Sequence, residues 1–493
     1  MKTTLIEKVS APRRAEVRGS PARLPPLVVD LDGTLLKSDL LLESVLALVK
    51  QQPRYLFALP LWLLKGKARF KREVARRVSL DVGLLPYRKD FLDDLRAQRA
   101  GGRSLVLATA SDSHLARQVA EHLQLFDCVL ASDGITNLSG DAKRERLVRE
   151  FGERGFDYAA NGPADVAVWR SARKAIAVNP GSRVLRALER FSRPEIAFQD
   201  EARPLKSYWN ALRPQQWCKN LLVLVPVFAA HRFFDAALLG RALLAFLAFC
   251  CCASSGYLFN DLLDLAADRH HPRKRFRPLA AGSLPLAYPL ALIPLLAILG
   301  GILGALVSPL LFGFVLGYFL LALLYSLSIK NVVVLDVIVL AGLYTLRLVA
   351  GSAAVLIWPS QWLLAFSIFL FLSLALVKRY GELVVMRGVD GDQARARGYE
   401  ISDAELLASM GTASGYLAVL VLALYLTTPT ARALYARLEL LWLLCPLLLY
   451  WIGRIWLVAH RGLVHDDPIL FATSDRISRI LVLLMVATSL LAI

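Results

Sequence analysis

From residue 220 to Ile493 the chain passes through nine apolar stretches, near 220–238, 240–259, 285–307, 309–328, 332–356, 360–378, 406–427, 436–458 and 477–493. A helix needs about 20 consecutive apolar residues to cross a bilayer, and inside hydrocarbon every backbone N–H and C=O must be paired within the segment. The pattern therefore predicts an all-α polytopic membrane domain of about nine transmembrane helices over 207–493. The first stretch carries the weakest signal, because His231 and Arg232 interrupt it. Hydrophobic residues make up 56% of the 493-residue chain, yet 20% of residues are charged, so another part must be water-soluble. Residues 1–26 form a polar tail and 181–206 read as a charged, Pro-containing linker.

The net charge of +18 admits nucleic acid, anionic lipid or a phosphorylated substrate as partner. Lys and Arg crowd the ends of the apolar stretches, which favours membrane topology and phosphate binding and argues against nucleic acid. Loops near 260–284, 329–331, 379–405 and 459–476 hold most of them, among them Lys330, Lys378, Arg379, Arg387, Arg395, Arg397 and Arg461. The positive-inside rule then puts these loops and the N-terminal part in the cytoplasm. The six cysteines, three of them consecutive (Cys250 to Cys252), have no metal or disulfide spacing and read as packing residues.

At the mouth of the second stretch stands Asn260-Asp261-Leu-Leu-Asp264-Leu-Ala-Ala-Asp268, followed by Arg269, Arg273, Lys274, Arg275 and Arg277. Acids at spacings of three and four fall on one face of a helix. Such a cluster repels itself unless a cation holds it, and an all-oxygen set suits Mg²⁺. With the basic run beside it, the stretch reads as a diphosphate site. His270 and His271 are weaker metal candidates.

The soluble part begins with Leu27-Val-Val-Asp30-Leu-Asp32-Gly33-Thr34, a buried strand running into a turn. It resembles the first motif of haloacid dehalogenase-like phosphatases. Ser104-Leu-Val-Leu-Ala-Thr109-Ala-Ser111, Lys143 and Asn161-Gly-Pro-Ala-Asp165 follow in the order of the family's other motifs. The resemblance implies an α/β, Rossmann-like domain with a small helical cap over 27–180. It further implies Asp30 as nucleophile, Asp32 as acid and base, Thr109 and Lys143 as phosphate contacts, and Asp30 with Asp165 as Mg²⁺ ligands. Asn161 departs from the family, which usually has an acid there. A non-catalytic relic is the alternative. Between the first two motifs, the apolar Pro53–Leu64 stretch is too short to span a bilayer. It reads either as a packed cap helix or as an interfacial helix whose basic tail meets lipid headgroups.

The membrane part resembles the UbiA superfamily of intramembrane transferases. The acidic stretch after the second span and Tyr325-Ser-Leu-Ser-Ile-Lys330…Asp336 after the fourth carry that likeness. Leu212-Arg-Pro-Gln-Gln-Trp-Cys-Lys219-Asn220, Asp268-Arg-His-His-Pro-Arg-Lys-Arg-Phe-Arg-Pro and Leu346-Arg347-Leu-Val-Ala-Gly351 resemble the decaprenyl-phosphate phosphoribosyltransferase branch. Leu340 stands four residues after Asp336, where aromatic prenyltransferases of the superfamily carry a second acid. The resemblance implies Mg²⁺-dependent transfer of 5-phosphoribose from phosphoribosyl diphosphate to a polyprenyl phosphate, in a bacterial inner membrane with both active sites cytoplasmic. Asp261, Asp264 and Asp268 would hold the metal, with Asp261 and Asp264 central to catalysis. Asn260, Lys219, Arg275, Tyr325, Lys330 and Arg347 would bind substrate, and a homo-oligomer is compatible with the pattern. The phosphatase would then remove the 5-phosphate. A prenyltransferase acting on an aromatic acceptor and a non-catalytic scaffold are the alternatives.

Overall fold

The computed structural model describes residues 24–191, 195–199, 205–386, 398–464 and 467–493. The expectations placed on residues 1–23, Arg387, Arg395 and Arg397 concern positions outside the described residues. The chain divides into two units. One comprises residues up to Ala211 together with Asp261–Pro289, and the other comprises Leu212–Asn260 and Leu290–Ile493.

The first unit is built on a six-stranded sheet of β1 (Leu27–Val29), β2 (Leu105–Asp112), β3 (Cys128–Ser132), β4 (Asp157–Ala160), β5 (Ala175–Val178) and β6 (Glu195–Phe198). Its order is β3-β2-β1-β4-β5-β6, and every pairing is parallel. Parallel strands need both faces covered, and the sequence supplies this through the two-residue alternation of side chains. Leu27, Val29 and Leu107 enter one core, while Val28, Val106 and Ala108 enter the other. The strand order reverses on either side of β1, so a crevice forms at the carboxyl ends of β1 and β4. Asp30 follows β1 directly, and its N–H donates to Ala159 O at 2.9 Å.

Two boundaries differ from the sequence reading. Residues 181–206 include the helix Ser182–Leu188 and β6, whose pairing with β5 carries the sheet to Phe198, well past residue 180. The acidic and basic loop Asp261–Pro289 joins this first unit, although it lies within 207–493. A buried fork explains the attachment. Arg269 donates to Glu43 Oε2 at 3.0 Å and to Oε1 at 2.6 Å, and its Nε donates to Ala280 O at 3.0 Å. Gly282 (φ +68°) sits where a Cβ would lie 3.0 Å from both Lys37 and Pro86.

The second unit is helical. Among the described residues, seven helices are long and apolar enough to cross a membrane: Ala236–Leu263, Ala287–Val307, Pro309–Leu327, Leu335–Val355, Gln361–Met386, Ile401–Leu426 and Leu438–His460. The sequence pattern leads one to expect nine. The stretch 220–238 instead divides into a 3-10 segment, Pro214–Leu224, and a five-residue helix, Val225–Ala229, with Pro226 in the first turn of that helix. The last stretch forms a 17-residue helix, Arg476–Ala492, shorter than the usual crossing length. Leu335–Val355 is the central helix: 67% of its apolar window is buried, against 11% for Ala287–Val307. Gly300 lets two spans close together, since a Cβ there would lie 2.5 Å from Cys252 Sγ and 2.9 Å from Ala248 O. The six cysteines are unpaired, and Cys250 and Cys252 are buried, as packing residues would be.

Candidate functional site

In the first unit, side chains from β1, β2 and β4 and the turns after them converge with one from a helix. Lys143, on the helix Asp141–Phe151, donates to Asp30 Oδ1 at 2.7 Å, to Tyr158 Oη at 3.0 Å and to Asp165 Oδ1 at 3.4 Å. Tyr158 donates to Asp165 Oδ1 at 2.6 Å, and Thr34 Oγ1 lies 3.3 Å from both Asp30 Oδ2 and Asn161 Oδ1. Asp32 accepts from Leu40 N at 2.7 Å, from Ser111 Oγ at 2.8 Å and from Thr109 Oγ1 at 3.5 Å. Asp30, Asp32, Thr109, Lys143 and Asp165 are thus brought together in one crevice. Thr34, Ser111 and Tyr158 complete the set. Gly33 makes the turn at φ +75°, where a Cβ would lie 2.3 Å from Asn161 Nδ2.

Charge in this crevice follows burial. Burial pushes Asp30 up to about 7, helped by Asp165 and Asp32 and opposed by Lys143. Asp32 is pushed up to about 6 by burial and Asp39, against the Leu40 N–H and Ser111. Burial alone would lower the Lys143 ammonium, but Asp30 and Asp165 carry it above its ordinary value. Burial thus raises both carboxyl groups toward neutrality, Asp30 the further of the two although it is held by the Lys143 ammonium.

The acidic loop departs from the expected stack of three carboxylates on one helix face. The helix ends at Leu263, and Asp264 takes φ −98°, ψ 12° before a second helix, Leu265–His270. That break separates the acids. Asp261 and Asp268 share the guanidinium of Arg277, at 3.3 and 2.6 Å, while Asp264 Oδ1 lies 3.3 Å from Lys50 Nζ. Burial raises the Asp268 carboxyl, opposed by Arg277. Arg275 is exposed, with its guanidinium over the Phe276 ring at 4.9 Å, so Arg277 is the basic residue that meets the acids.

In the second unit, a buried polar array lines the central helix. Arg347 donates through Nε to Asn220 Oδ1 at 2.8 Å, through Nη1 to Leu343 O at 2.6 Å and through Nη2 to Tyr318 Oη at 2.7 Å. Lys219 Nζ lies 2.6 Å from Asp467 Oδ2, Lys378 lies 3.7 Å from the same oxygen, and Tyr344 donates to it at 3.2 Å. Lys330 donates to Asn260 Oδ1 at 3.2 Å. Asp336 is taken up by Arg379 and by Tyr399 Oη, the latter at 2.6 Å, and Arg379 reaches Tyr325 Oη at 2.6 Å. Sequence reasoning found Lys219, Asn260, Tyr325, Lys330 and Arg347 but gave no role to Asn220, Tyr344 or Asp467. Asn220 and Tyr344 offered only the weak signal of a polar residue in or beside an apolar run, and Asp467, a loop acid next to Asp466, offered none.

Among the described residues, no three His, Cys, Asp or Glu side chains gather to hold an ion. Each acidic site instead offers two carboxylates around a basic side chain: Asp30 and Asp165 on Lys143, Asp261 and Asp268 on Arg277. Mg²⁺ is commonly held by one or two carboxylates, with substrate phosphate and water completing its shell. Both oxygen sets fit Mg²⁺ in that mode.

The UbiA prenyltransferase family profile matches residues 221–474. An uncharacterized protein of Sinorhizobium fredii is 36% identical over 456 residues, 92% of this chain and 88% of its own. The nodulation protein NoeC of Azorhizobium caulinodans is 36% identical over 280 residues, 57% of this chain and 91% of its own. The decaprenyl-phosphate phosphoribosyltransferase of Mycolicibacterium smegmatis is 38% identical over 180 residues, which is 35% of this chain and 56% of that protein. With more than half of its length matched by the family profile and several apolar helices long enough to cross a bilayer, this chain is a multi-pass membrane protein of the UbiA prenyltransferase family.

Proposed function

We propose that the membrane half transfers 5-phosphoribose from phosphoribosyl diphosphate to a polyprenyl phosphate, and that the N-terminal unit is a haloacid dehalogenase-like phosphatase that removes the 5-phosphate from the product. One observation carries the choice of donor. Asp336, the carboxylate nearest to a second acidic motif, is engaged by Arg379 and Tyr399, while Lys219, Lys330 and Arg347 supply buried cations. A site so rich in cations suits a donor with an additional phosphate and an acceptor that is itself a phosphate. Relatives named decaprenyl-phosphate phosphoribosyltransferase support the same reading.

In the transfer, the bond between ribose C1 and the diphosphate breaks and its electron pair leaves with pyrophosphate. A lone pair of the lipid phosphate oxygen forms the new C1–O bond. That oxygen is already ionised, so no general base is required. Lys219, Lys330 and Arg347 hold phosphate oxygens in place. In the second step, Asp30 attacks the 5-phosphorus while Asp32 protonates the departing ribose oxygen. Asp32 then takes a proton from the water that opens the aspartyl-phosphate. Asp261 with Asp268, and Asp30 with Asp165, would hold Mg²⁺, which would supply positive charge to the leaving pyrophosphate and to the transferring phosphoryl group; Asp264, turned toward Lys50, stands apart from that pair.

The loop charges support a bacterial cytoplasmic-membrane location with both sites facing the cytoplasm. Incubating the purified full chain with labelled phosphoribosyl diphosphate and a polyprenyl phosphate tests the proposal. A lipid-linked labelled pentose is expected, and its absence, with a prenylated product from a parallel incubation with a prenyl diphosphate and an aromatic acid, would assign the chain to aromatic prenyl transfer instead.

A further inference from the structure

Pro53–Leu64 folds as a five-residue 3-10 turn followed by the six-residue helix Leu59–Leu64. Its inner side is fixed. Tyr55 and Trp62 pack ring to ring at 5.5 Å, the Arg77 guanidinium lies 4.8 Å over Trp62 and 5.7 Å over Tyr55, and Gln51 exchanges two hydrogen bonds with the Ser79 backbone. Its outer side is apolar and uncovered: Phe57 is 82% exposed, Leu61 61% and Leu64 84%, with Leu56 and Leu63 more than half exposed. A packed cap helix would bury these side chains, so that alternative fails at these residues.

The surrounding charge identifies what covers this ledge. Between Glu43 and Glu73 the sequence contains no acid and seven basic residues, and Arg54, Lys65, Lys67 and Arg69 beside the ledge are exposed. An ordered apolar ridge whose adjoining sequence carries exposed cations and no acid matches the boundary between acyl chains and anionic headgroups. A protein partner would more often offer a mixed polar rim. We propose that Leu56–Leu64 is a membrane-seated ledge, inserted into the headgroup region of an anionic bilayer with its leucines toward the acyl chains. The ledge keeps the N-terminal unit at the lipid surface, where a lipid-linked substrate is presented. It does not depend on which sugar is transferred.

The test uses the full chain in nanodiscs containing phosphatidylglycerol, with p-benzoylphenylalanine in place of Leu64 or, as a comparison, in place of Ile135, which is 86% exposed elsewhere in the same unit. After irradiation, mass spectrometry should find phospholipid joined to position 64 and little at 135. Discs of phosphatidylcholine alone should lower the yield at 64 by about fivefold or more, the weight of a single cation at an anionic surface. A crosslink between two copies of the chain, equal lipid adducts at both positions, or no lipid adduct at 64 would each overturn the proposal. These side chains are exposed, so replacing them leaves the core intact.

Discussion

Glu43 and Arg269, 226 residues apart in sequence, meet in a buried two-point ion pair with side chains 3% and 8% exposed. The helix Leu40–Gln51 that carries Glu43 also carries Lys50, whose ammonium lies 3.3 Å from Asp264. One helix of the N-terminal unit therefore grips the acidic loop at two points, seven residues apart and so on one helical face. Breaking a buried pair from one side strands the other charge, at a cost of about 3–5 kcal/mol. Glu43→Ala should loosen residues 265–282, seen as faster amide exchange there, with β2 and β4 unchanged. Unaltered exchange in the loop would show that other contacts hold it.

Arg347 makes three hydrogen bonds in fork geometry, an arrangement that a lysine cannot reproduce. Arg347→Lys should lower transfer by about 10²-fold, the usual weight of a preorganised donor at a developing charge. The measure is the rate of lipid-linked pentose formation at matched protein amounts.

Gly33 has no room for a side chain, since its Cβ would strike the Asn161 amide and its φ is +75°. Gly33→Ala should cut phosphate release at least about tenfold, because a misplacement near 1 Å can cost more than that in a positioned site. Transfer in the membrane unit should be spared, with both products resolved by chromatography.

Gly300 packs against Ala248 and Cys252, whereas Gly313, in the next helix, has open space around it. Gly300→Leu should destabilise the folded chain by about 1–3 kcal/mol through overpacking, and Gly313→Leu should be close to neutral. Thermal denaturation in detergent separates the two.

Local patterns made much of this chain legible. The apolar spans and the strand at Leu27 are visible because period and length carry them, whereas Asp30, Asp32, Lys143 and Asp165 stand out only through the resemblance of four ordered motifs to those of haloacid dehalogenase-like phosphatases. What escaped depended on distant partners. Glu43 is one acid on an amphipathic helix until Arg269 arrives, and Asp467 is an unremarkable loop acid until Lys219 and Lys378 close on it. The three acids after Asn260 kept perfect helical spacing in sequence, but the backbone at Asp264 left the helix and redirected them. Arg275 and Arg277 are equivalent in composition, and only the fold of the loop decides which one reaches Asp261 and Asp268.

The central claim, two activities in series within one chain, is tested most directly by the mass of the lipid product made by the full chain and by its Asp30→Asn variant from phosphoribosyl diphosphate and a polyprenyl phosphate. Wild type should yield the lipid-linked ribose with release of inorganic phosphate, and Asp30→Asn the same lipid heavier by one phosphate. The same 5-phosphorylated lipid from both proteins, with no phosphate released, would contradict the account.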